Sequence, residues 1–144
     1  MTDAAIVYGA TVEKSTDGGT TYVPIPEVTS FAIPVPEKGY VDVTNLDSPN
    51  RSREHIPAMT DFSNAMIEAN YTPAGYAAAL ADDTSNALVT YKVTMPPMAS
   101  QAAGDEFVFT AYPTVQPITG AIDEAAKMTI DLKVSGGVAF TAGA

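Results

Sequence analysis

The sequence predicts a mainly β fold: an antiparallel β-sandwich or barrel-like domain with one flanking α-helix and a long loop between strands. Several segments alternate apolar and polar residues with a period of two, which is typical of strands that have one solvated face. Glycine and proline clusters separate these segments. Only one stretch has the composition of a helix. A chain of 144 residues fits a single domain, residues 1–144, and can bury a core without a metal or a disulfide.

The N-terminal part is predicted to form a hairpin and then a short edge strand. Ile6–Val12 is rich in β-forming residues, Asp17–Gly19 is a turn sequence, and Thr20–Val23 would be the second strand of the hairpin. Prolines flank the next β-prone segment, Val28–Ile33, on both sides. Because proline cannot donate a hydrogen bond to a neighbouring strand, this segment is expected at a sheet edge or in a loop.

Two further segments, Tyr40–Leu46 and Ser63–Tyr71, alternate apolar and polar residues and are predicted to be strands. Asp47–Phe62, between them, is polar, contains two prolines and is predicted to be a long loop. The two strands present an apolar face for the core and a polar face for solvent, with Met66 as the exception on the polar face. The apolar face comprises Val41, Val43, Ala65, Ile67 and Ala69, and the polar face comprises Asp42, Thr44, Asn64, Glu68 and Asn70.

The single predicted helix follows these strands. Thr72 suits the N-cap, Pro73 suits the first helical position, and Tyr76–Ala81 has high helix propensity. The polar run Asp82–Ser85 is expected to contain the end of the helix.

Three strands are predicted in the last third of the chain. They are Ala87–Met95, the aromatic-rich Glu106–Val115, and Met128–Val134. Pro96-Pro97 and Gly136-Gly137 are predicted to end the neighbouring strands. The alternation places these residues towards the core: Val89, Tyr91, Val93, Met128, Ile130, Leu132 and Val134. The whole chain is therefore expected to hold seven or eight strands and one helix.

Composition excludes several classes of function. The chain has no cysteine, so it has no disulfide, no thiolate nucleophile and no cysteine-based zinc site. Its net charge of −10 argues against tight binding of nucleic acid, which needs a basic face. No apolar stretch is long enough to span a bilayer, so we expect no membrane partner. Met1–Ala10 lacks the basic and apolar regions of a signal peptide, so we expect synthesis in the cytoplasm.

The residues that carry chemistry give no catalytic pattern. His55 is the only histidine, and although Asp47 or Asp61 could orient it, no G-x-S-x-G motif supplies a nucleophile. Adjacent acids such as Asp105-Glu106 would point to opposite sides of a strand and are better explained as solvated strand ends. No phosphate-binding or calcium-binding motif is present. We therefore expect a protein that is not an enzyme, with no catalytic residue, no cofactor and no metal site.

The two arginines are the most informative polar residues. Arg51 and Arg53 are the only arginines, and both lie in the predicted Asp47–Phe62 loop. Arginine forms bidentate pairs with carboxylates and is enriched at protein interfaces. Long loops within a small domain are often functional. The residues alone leave two interpretations open: a loop that contacts another protein, or a loop that is merely solvated.

The central part of the sequence resembles the tail tube proteins of long-tailed, non-contractile bacteriophages and of related gene transfer agents. Val43–Pro49 reads V-T-N-L-D-S-P, and Arg53–Ala58 reads R-E-H-I-P-A. An acidic strand, Asp61–Asn70, then leads to Tyr71-Thr72-Pro73 before the helix. The family typically has V-T-x-L-D-S-P, then R-E-x-I-P-G, then N-Y-D-P. The resemblance covers roughly residues 39–82, with Ala58 and Thr72 as departures from the family's glycine and aspartate.

This resemblance implies a tail tube fold, a structural role and self-assembly. Subunits of the family close into six-fold rings, the rings stack into a hollow tail tube, and DNA passes through it without specific binding. The loop would then contact a neighbouring subunit or ring, through Asp47, Ser48, Pro49, Arg51, Arg53, Glu54, His55, Ile56 and Pro57. The polar strand faces would line the lumen, through Asp42, Thr44, Asn64, Glu68 and Asn70.

The resemblance also sets the expected partners and location. They are further copies of the chain, a tail terminator, a tape measure protein and distal tail proteins, all in the tail of a virion or virus-like particle. An alternative is a monomeric ligand-binding β-sandwich module of the adhesin or carbohydrate-binding type, which would need an aromatic patch. A hydrolase built on His55 and a ring-forming tube protein of contractile tails or secretion systems are further alternatives.

Overall fold

The computed structural model describes residues 6–144, so part of the N-terminal segment considered above for a secretion signal lies outside the described residues. These residues form nine antiparallel strands and one α-helix. The strands are β1 Thr11–Ser15, β2 Val23–Pro24, β3 Val28–Ala32, β4 Pro36–Asp42, β5 His55–Phe62, β6 Ala65–Asn70, β7 Val89–Thr94, β8 Glu106–Val115 and β9 Lys127–Thr141, and the helix is α1 Pro73–Ser85.

Seven strands form one sheet, in the order β2-β1-β7-β8-β9-β6-β3, while β4 and β5 pair only with each other. The expectation of a mainly β, antiparallel fold with one helix is confirmed. No helix within residues 6–144 is long and apolar enough to cross a bilayer.

The N-terminal hairpin is present but shifted along the chain. β1 begins at Thr11, because the preceding residues form a turn in which the Ala10 N–H donates to the Val7 carbonyl at 3.0 Å. The predicted partner Thr20–Val23 is reduced to the two residues of β2. The Asp17 carboxylate accepts from the N–H groups of Thr20 and Thr21, at 3.1 and 2.9 Å, and this folds the start of that segment into a turn.

The segments that flank the arginines form one long, bent β-ribbon. β3 pairs with β6, and β4 pairs with β5, so residues 28–42 run antiparallel to residues 55–70. The ribbon bends at Ile33–Val35 and Ser63–Asn64. Across the bend, the Ser63 N–H donates to the Val35 carbonyl and the Val35 N–H donates to the Ser63 hydroxyl, both at 3.0 Å. The prediction of a loop over Asp47–Phe62 is therefore wrong for His55–Phe62, which is strand β5.

One face of the seven-stranded sheet forms the core. The ladders join Tyr91 to Phe109, Ala111 to Val134, and Leu132 to Ala65, so that these side chains share a face. The alternation in the sequence predicts this layer correctly. The predicted core residues of β6, β7 and β9 are all buried: Ala65, Ile67, Ala69, Val89, Tyr91, Val93, Met128, Ile130, Leu132 and Val134.

Helix α1 packs on the core face and begins where the sequence predicts. The Thr72 hydroxyl accepts from the Gly75 N–H at 3.1 Å, and Pro73 occupies the first turn. The helix ends at Ser85, after which Asn86 takes a left-handed conformation with φ of 53°. Ala79 faces the core, and the Asp83 carboxylate accepts from the Val115 N–H at 3.2 Å.

Strand β9 does not end at the two glycines, contrary to the prediction. It continues to Thr141 because Ser135–Gly137 bulges out opposite Thr110, and pairing with β8 resumes at Val138. Gly136 adopts a φ of 91°, which glycine allows without a steric penalty. The Thr110 hydroxyl donates to the Ser135 carbonyl at 2.6 Å and holds the bulge.

Candidate functional site

The half of the ribbon beyond the bend, residues 36–62, contacts the core through Phe62 at its base and is called the arm below. It comprises β4, β5 and the segment 43–54 that joins them, called the arm tip. Every residue from Tyr40 to Asp61 is exposed except Ser48 and Glu54, which are half-buried. A two-stranded hairpin of this kind is only marginally stable by itself in water. Apart from Phe62 at its base, which packs against the core, the arm therefore has no packing partner within the described residues.

Apolar side chains are exposed on both faces of the arm. Val41 lies opposite Ile56 on one face, and Tyr40 lies opposite Pro57 on the other. Val41 is 49% exposed and Ile56 is 51% exposed. The prediction that Val41 and Val43 belong to the core is therefore wrong. Their alternation does mark a strand and its continuation, but that strand lies on the arm, where no core covers it.

The arm tip is ordered by side-chain hydrogen bonds to the backbone. The Asp42 carboxylate accepts from the Thr44 N–H at 2.9 Å, and the Thr44 hydroxyl accepts from the Glu54 N–H at 2.8 Å. The Ser48 hydroxyl donates to the Glu54 carboxylate at 2.6 Å and accepts from the Asn45 N–H at 3.0 Å. These bonds satisfy backbone groups that have no strand partner, and they give the exposed tip a defined shape.

The two arginines have different surroundings. An Arg53 guanidinium nitrogen lies 3.2 Å from the Asp42 carboxylate. Hydrogen bonds from Thr44, followed by the contact with Arg53 and the nearby His55, lower the pKa of Asp42. Arg51 has a φ of 56° and forms no ion pair within residues 6–144. Among the described residues, Arg51 is thus a cation of the tip without a counter-ion.

The residues predicted to make inter-subunit contacts all lie on the arm, but on two kinds of structure. Those in the arm tip are Asp47, Ser48, Pro49, Arg51, Arg53 and Glu54. Pro49–Ser52 is a tight turn in which the Ser52 N–H donates to the Pro49 carbonyl at 3.0 Å and Asn50 and Arg51 have positive φ. Those on strand β5 are His55, Ile56 and Pro57. Assigning His55–Pro57 to a loop is wrong, because the polar and proline-containing composition of this segment hides its pairing with β4. That these nine residues form an interface between subunits remains a prediction.

The residues predicted to line a lumen are divided by the bend. Asp42 is the last residue of β4, Thr44 lies in the arm tip, Asn64 lies at the bend, and Glu68 and Asn70 lie on β6 in the seven-stranded sheet. Glu68 and Asn70 alternate with buried residues and so occupy the sheet face away from the core. Whether these residues share one channel wall depends on neighbouring subunits, so the lumen assignment stays a prediction.

The sheet face away from the core has mixed charge. Glu68 lies 3.8 Å from Lys127, and Asp131 pairs across the ladder with Met66. Strand register places these charged residues on the same face: Glu13, Glu68, Glu106, Asp131, Lys92, Lys127 and Lys133. Carboxylates and lysines are nearly balanced here, although the whole chain has a net charge of −10. The face offers no continuous basic track of the kind that binds phosphates.

Several strand edges have no ladder partner within the described residues. β2 and β3 are the outer strands of the seven-stranded sheet, and β4 and β5 each pair on one side only. The segment of β9 beyond Val134 pairs with β8, but its other edge continues past the end of the β6 ladder at Leu132. Open edges expose backbone N–H and C=O groups that pair readily with another strand.

Sequence reasoning missed a contact between the first strand and the helix. The Lys14 ammonium forms an ion pair with the Asp82 carboxylate, and both side chains are largely buried. The pair lies beside an apolar cavity of about 210 Å³ between α1 and the N-terminal hairpin. Lys14 shares the core face with Val12, so a strict reading of alternation would place an apolar residue there. Nothing local in the sequence links residue 14 to residue 82.

Comparisons with known proteins establish the fold. Neither protein-family models nor curated protein sequences match this chain. Solved structures do match it over nearly its whole length. One is a chain from the tail of an empty gene transfer agent (GTA) particle refined with C6 symmetry, which is 17% identical with a TM-score of 0.70 and covers 96% of this chain and 100% of its own.

Two further solved structures widen the range of similar assemblies. A chain of the SPP1 tail tube is 12% identical with a TM-score of 0.64, over 92% of this chain and 75% of its own. A chain from the sheath/tube terminator structure of an extracellular contractile injection system is 14% identical with a TM-score of 0.69. The match covers 96% of this chain and 97% of that one. This chain therefore has the tail tube fold that its sequence resemblance predicts.

Proposed function

We propose that this chain is a structural protein that assembles into stacked hexameric rings and forms the hollow tail tube of a phage or gene transfer agent. The fold supports this role, because similar folds occur in a tail tube and in a tail refined with C6 symmetry. The observation that carries the proposal is the arm. Its exposed apolar faces and single-sided pairing are features that other copies of the chain would cover.

Ring closure would use the open strand edges. A contact between two different surfaces of identical subunits closes into a ring when its rotation permits. The unpaired edges of the arm and of β9 beyond Val134 supply two different surfaces of this kind. Pairing them between neighbours would extend the sheet from one subunit to the next and would satisfy the exposed backbone groups. Repetition around the ring would then produce a closed β-barrel, which has no free edges.

Stacking of rings would use the arm tip and β5. The residues assigned to this contact are Asp47, Ser48, Pro49, Arg51, Arg53, Glu54, His55, Ile56 and Pro57. The ordered tip supports this assignment, because an element held in shape by its own hydrogen bonds loses less conformational freedom on binding. Arg51 would gain a carboxylate partner in the neighbouring ring.

The lumen wall would be formed by Asp42, Thr44, Asn64, Glu68 and Asn70. The mixed charge around Glu68 is suited to DNA passage, because a wall without a basic track does not hold phosphates by releasing counterions. DNA would then pass without specific binding. A tail terminator, a tape measure protein and distal tail proteins complete the proposed set of partners.

Assembly is tested by negative-stain electron microscopy of the purified protein at rising concentration. The expected result is six-fold rings that stack into tubes with a central channel as concentration increases. A protein that stays monomeric at every concentration, in several buffers, would contradict the proposal and would favour the ligand-binding alternative. Tubes of another symmetry would support the proposed self-assembly but would contradict hexameric rings.

The lumen assignment is tested by Glu68→Lys in a particle that delivers DNA. We expect tubes to form normally but DNA transfer to decrease, because the exchange adds a cation beside Lys127 and creates a local basic site. Glu68→Gln is the matched control, since it also loses the ion pair without adding a cation. Normal DNA transfer by tubes that contain Glu68→Lys would place Glu68 outside the lumen.

A further inference from the structure

The arm tip contains a hollow that is apolar and cationic. The hollow, about 450 Å³ in volume, is lined by Leu46, Arg51 and Arg53 together with small polar residues of the tip. No carboxylate of residues 6–144 lines it, although Arg53 pairs with Asp42 outside the hollow. Leu46 is fully exposed in the isolated chain, and Arg51 has no ion pair within the described residues. Arginine is enriched at protein interfaces, and the fully exposed Leu46 beside Arg51 adds apolar surface that a partner would cover.

The opposite end of the sheet carries a complementary knob. The loop between β8 and β9 is closed at its base by two hydrogen bonds between Thr119 and Lys127, at 3.0 and 2.8 Å. Ile122 at its apex is fully exposed and is followed by Asp123 and Glu124, which are also exposed and form no ion pair within residues 6–144. The knob thus combines an apolar side chain with two carboxylates.

The hollow and the knob lie at opposite ends of the same strands. β6 runs from Ala65, beside the bend that leads to the arm, to Asn70, which pairs with Lys127 at the base of the knob loop. One end of β6 therefore leads to the arm and its hollow, and the other end lies at the base of the knob. Stacking two copies in the same orientation would turn the arm tip of one copy towards the knob of the next.

We propose that the acceptor for the arm tip is the Ile122 knob of the next copy of this chain, with Ile122 in the hollow and Asp123 or Glu124 against Arg51. This inference rests on the proposed function, and it adds the surface on which one ring receives the next. The contact joins two different surfaces without closing, so it repeats indefinitely. The contact also makes the tube polar, because the arm tips of all copies point towards one end of the tube and the knobs point towards the other end.

Cysteine cross-linking tests this contact, because the chain has no cysteine of its own. Leu46→Cys and Ile122→Cys are made singly and together. Both side chains are fully exposed, so neither exchange disturbs the core. Assembled protein is treated with a short bis-maleimide and examined on a denaturing gel. The double variant is expected to give a ladder of trimers and longer products, because each copy links to one copy above and one below.

The controls separate this contact from accidental ones. Each single variant has one thiol per chain and stops at dimers, whereas a mixture of the two single variants is expected to give more dimer than either alone. Tubes of the double variant without the ladder would overturn the knob-and-hollow contact while leaving the proposed function intact. A wild-type protein that forms neither rings nor tubes would overturn the proposed function and this contact together.

Discussion

The seven-stranded body and the two-stranded arm are built from similar alternating sequences, yet only the body buries its apolar residues. On β6, Ala65, Ile67 and Ala69 have at most 2% of their surface exposed, whereas Val41 on β4 is 49% exposed. The difference lies in what covers each strand. β6 has ladder partners on both sides and belongs to the layer that α1 covers, whereas within residues 6–144 the one ladder partner of β4 is β5. Alternation of apolar and polar residues therefore predicts that the apolar face of a strand will be buried. It does not predict whether the same chain or another copy buries that face.

The same comparison separates stability from assembly. The body supplies the core that holds the monomer folded. Apart from Phe62 at its base, which packs against the core, the arm buries little within the chain, so its exposed apolar residues contribute little to monomer stability. They can stabilise only a state in which other copies are present. Substitutions in the two regions should consequently affect different measurements.

The largest effect on stability is expected from Leu132→Ala in the body, with Leu46→Ala in the arm tip as the same exchange at an exposed site. Leu132 is completely buried, so its truncation should lower the free energy of unfolding by about 2–5 kcal/mol. Leu46 is fully exposed, so its truncation should change this free energy by less than about 0.5 kcal/mol. Urea unfolding of dilute monomer measures both values. Equal decreases in the free energy of unfolding for the two variants would contradict the distinction between body and arm.

Val41→Asp should abolish assembly without unfolding the monomer. The exchange places a charge on an arm face where Val41 and Ile56 expose their side chains, and burying that charge against another subunit would be costly. Sedimentation of assembled protein and urea unfolding of dilute monomer give the two measurements. Leu88→Asp is the control, since Leu88 has similar exposure but lies outside the arm. Tubes formed by Val41→Asp as readily as by wild type would contradict the role of this face.

A smaller effect is expected at the start of the helix. Thr72→Ala removes the acceptor for the Gly75 N–H and should lower the free energy of unfolding by about 0.5–2 kcal/mol. Thr84→Ala is the matched control, because the Thr84 hydroxyl donates only to the Leu80 carbonyl within the helix. We expect Thr84→Ala to stay within about 0.5 kcal/mol of wild type. A Thr72→Ala effect no larger than that of its control would show that the cap contributes nothing to the body.

The smallest effect concerns the turn of the N-terminal hairpin. Hydrogen bonds from Ser15, then from Thr21, lower the pKa of Asp17 from 3.8 to about 2. Because the folded pKa is below the unfolded one, the stabilisation is complete above pH 4 or so and is lost as the pH falls through about 2. Ser15→Ala should raise the pKa of Asp17, and Thr16→Ala should not. An NMR titration in which Ser15→Ala leaves this pKa at about 2 would contradict the assignment.

Much of the body follows from the sequence, because its contacts obey local rules. Alternation identifies β6, β7 and β9 with their buried residues, and Thr72-Pro73 identifies the helix start. Strand β5 escapes detection because a histidine and a proline near its start look like loop residues, although pairing with β4 accommodates them. The continuation of β9 escapes because a bulge absorbs both glycines. Each failure involves a long-range pairing that local composition does not encode.

The candidate site is predictable only in part, for a related reason. The motif around Arg51 and Arg53 indicates a contact segment, and the structure places that segment on the arm. The sequence does not indicate that Asp42 and Glu68 lie on opposite sides of a bend, because the bend depends on the hydrogen bonds between Val35 and Ser63. Nor does it indicate the Ile122 knob, whose significance depends on its position at the far end of the sheet from the arm tip.

Hydrogen–deuterium exchange of dilute monomer and of assembled protein tests the central claim most directly. The claim is that the arm is covered only by other copies of the chain, while the body is covered by the chain itself. We predict that amides of residues 36–62 exchange rapidly in the monomer and slowly in the tube, whereas those of β6, β7 and β9 are protected in both. An arm that is as well protected in the monomer as in the tube, or that remains unprotected in the tube, would contradict the account.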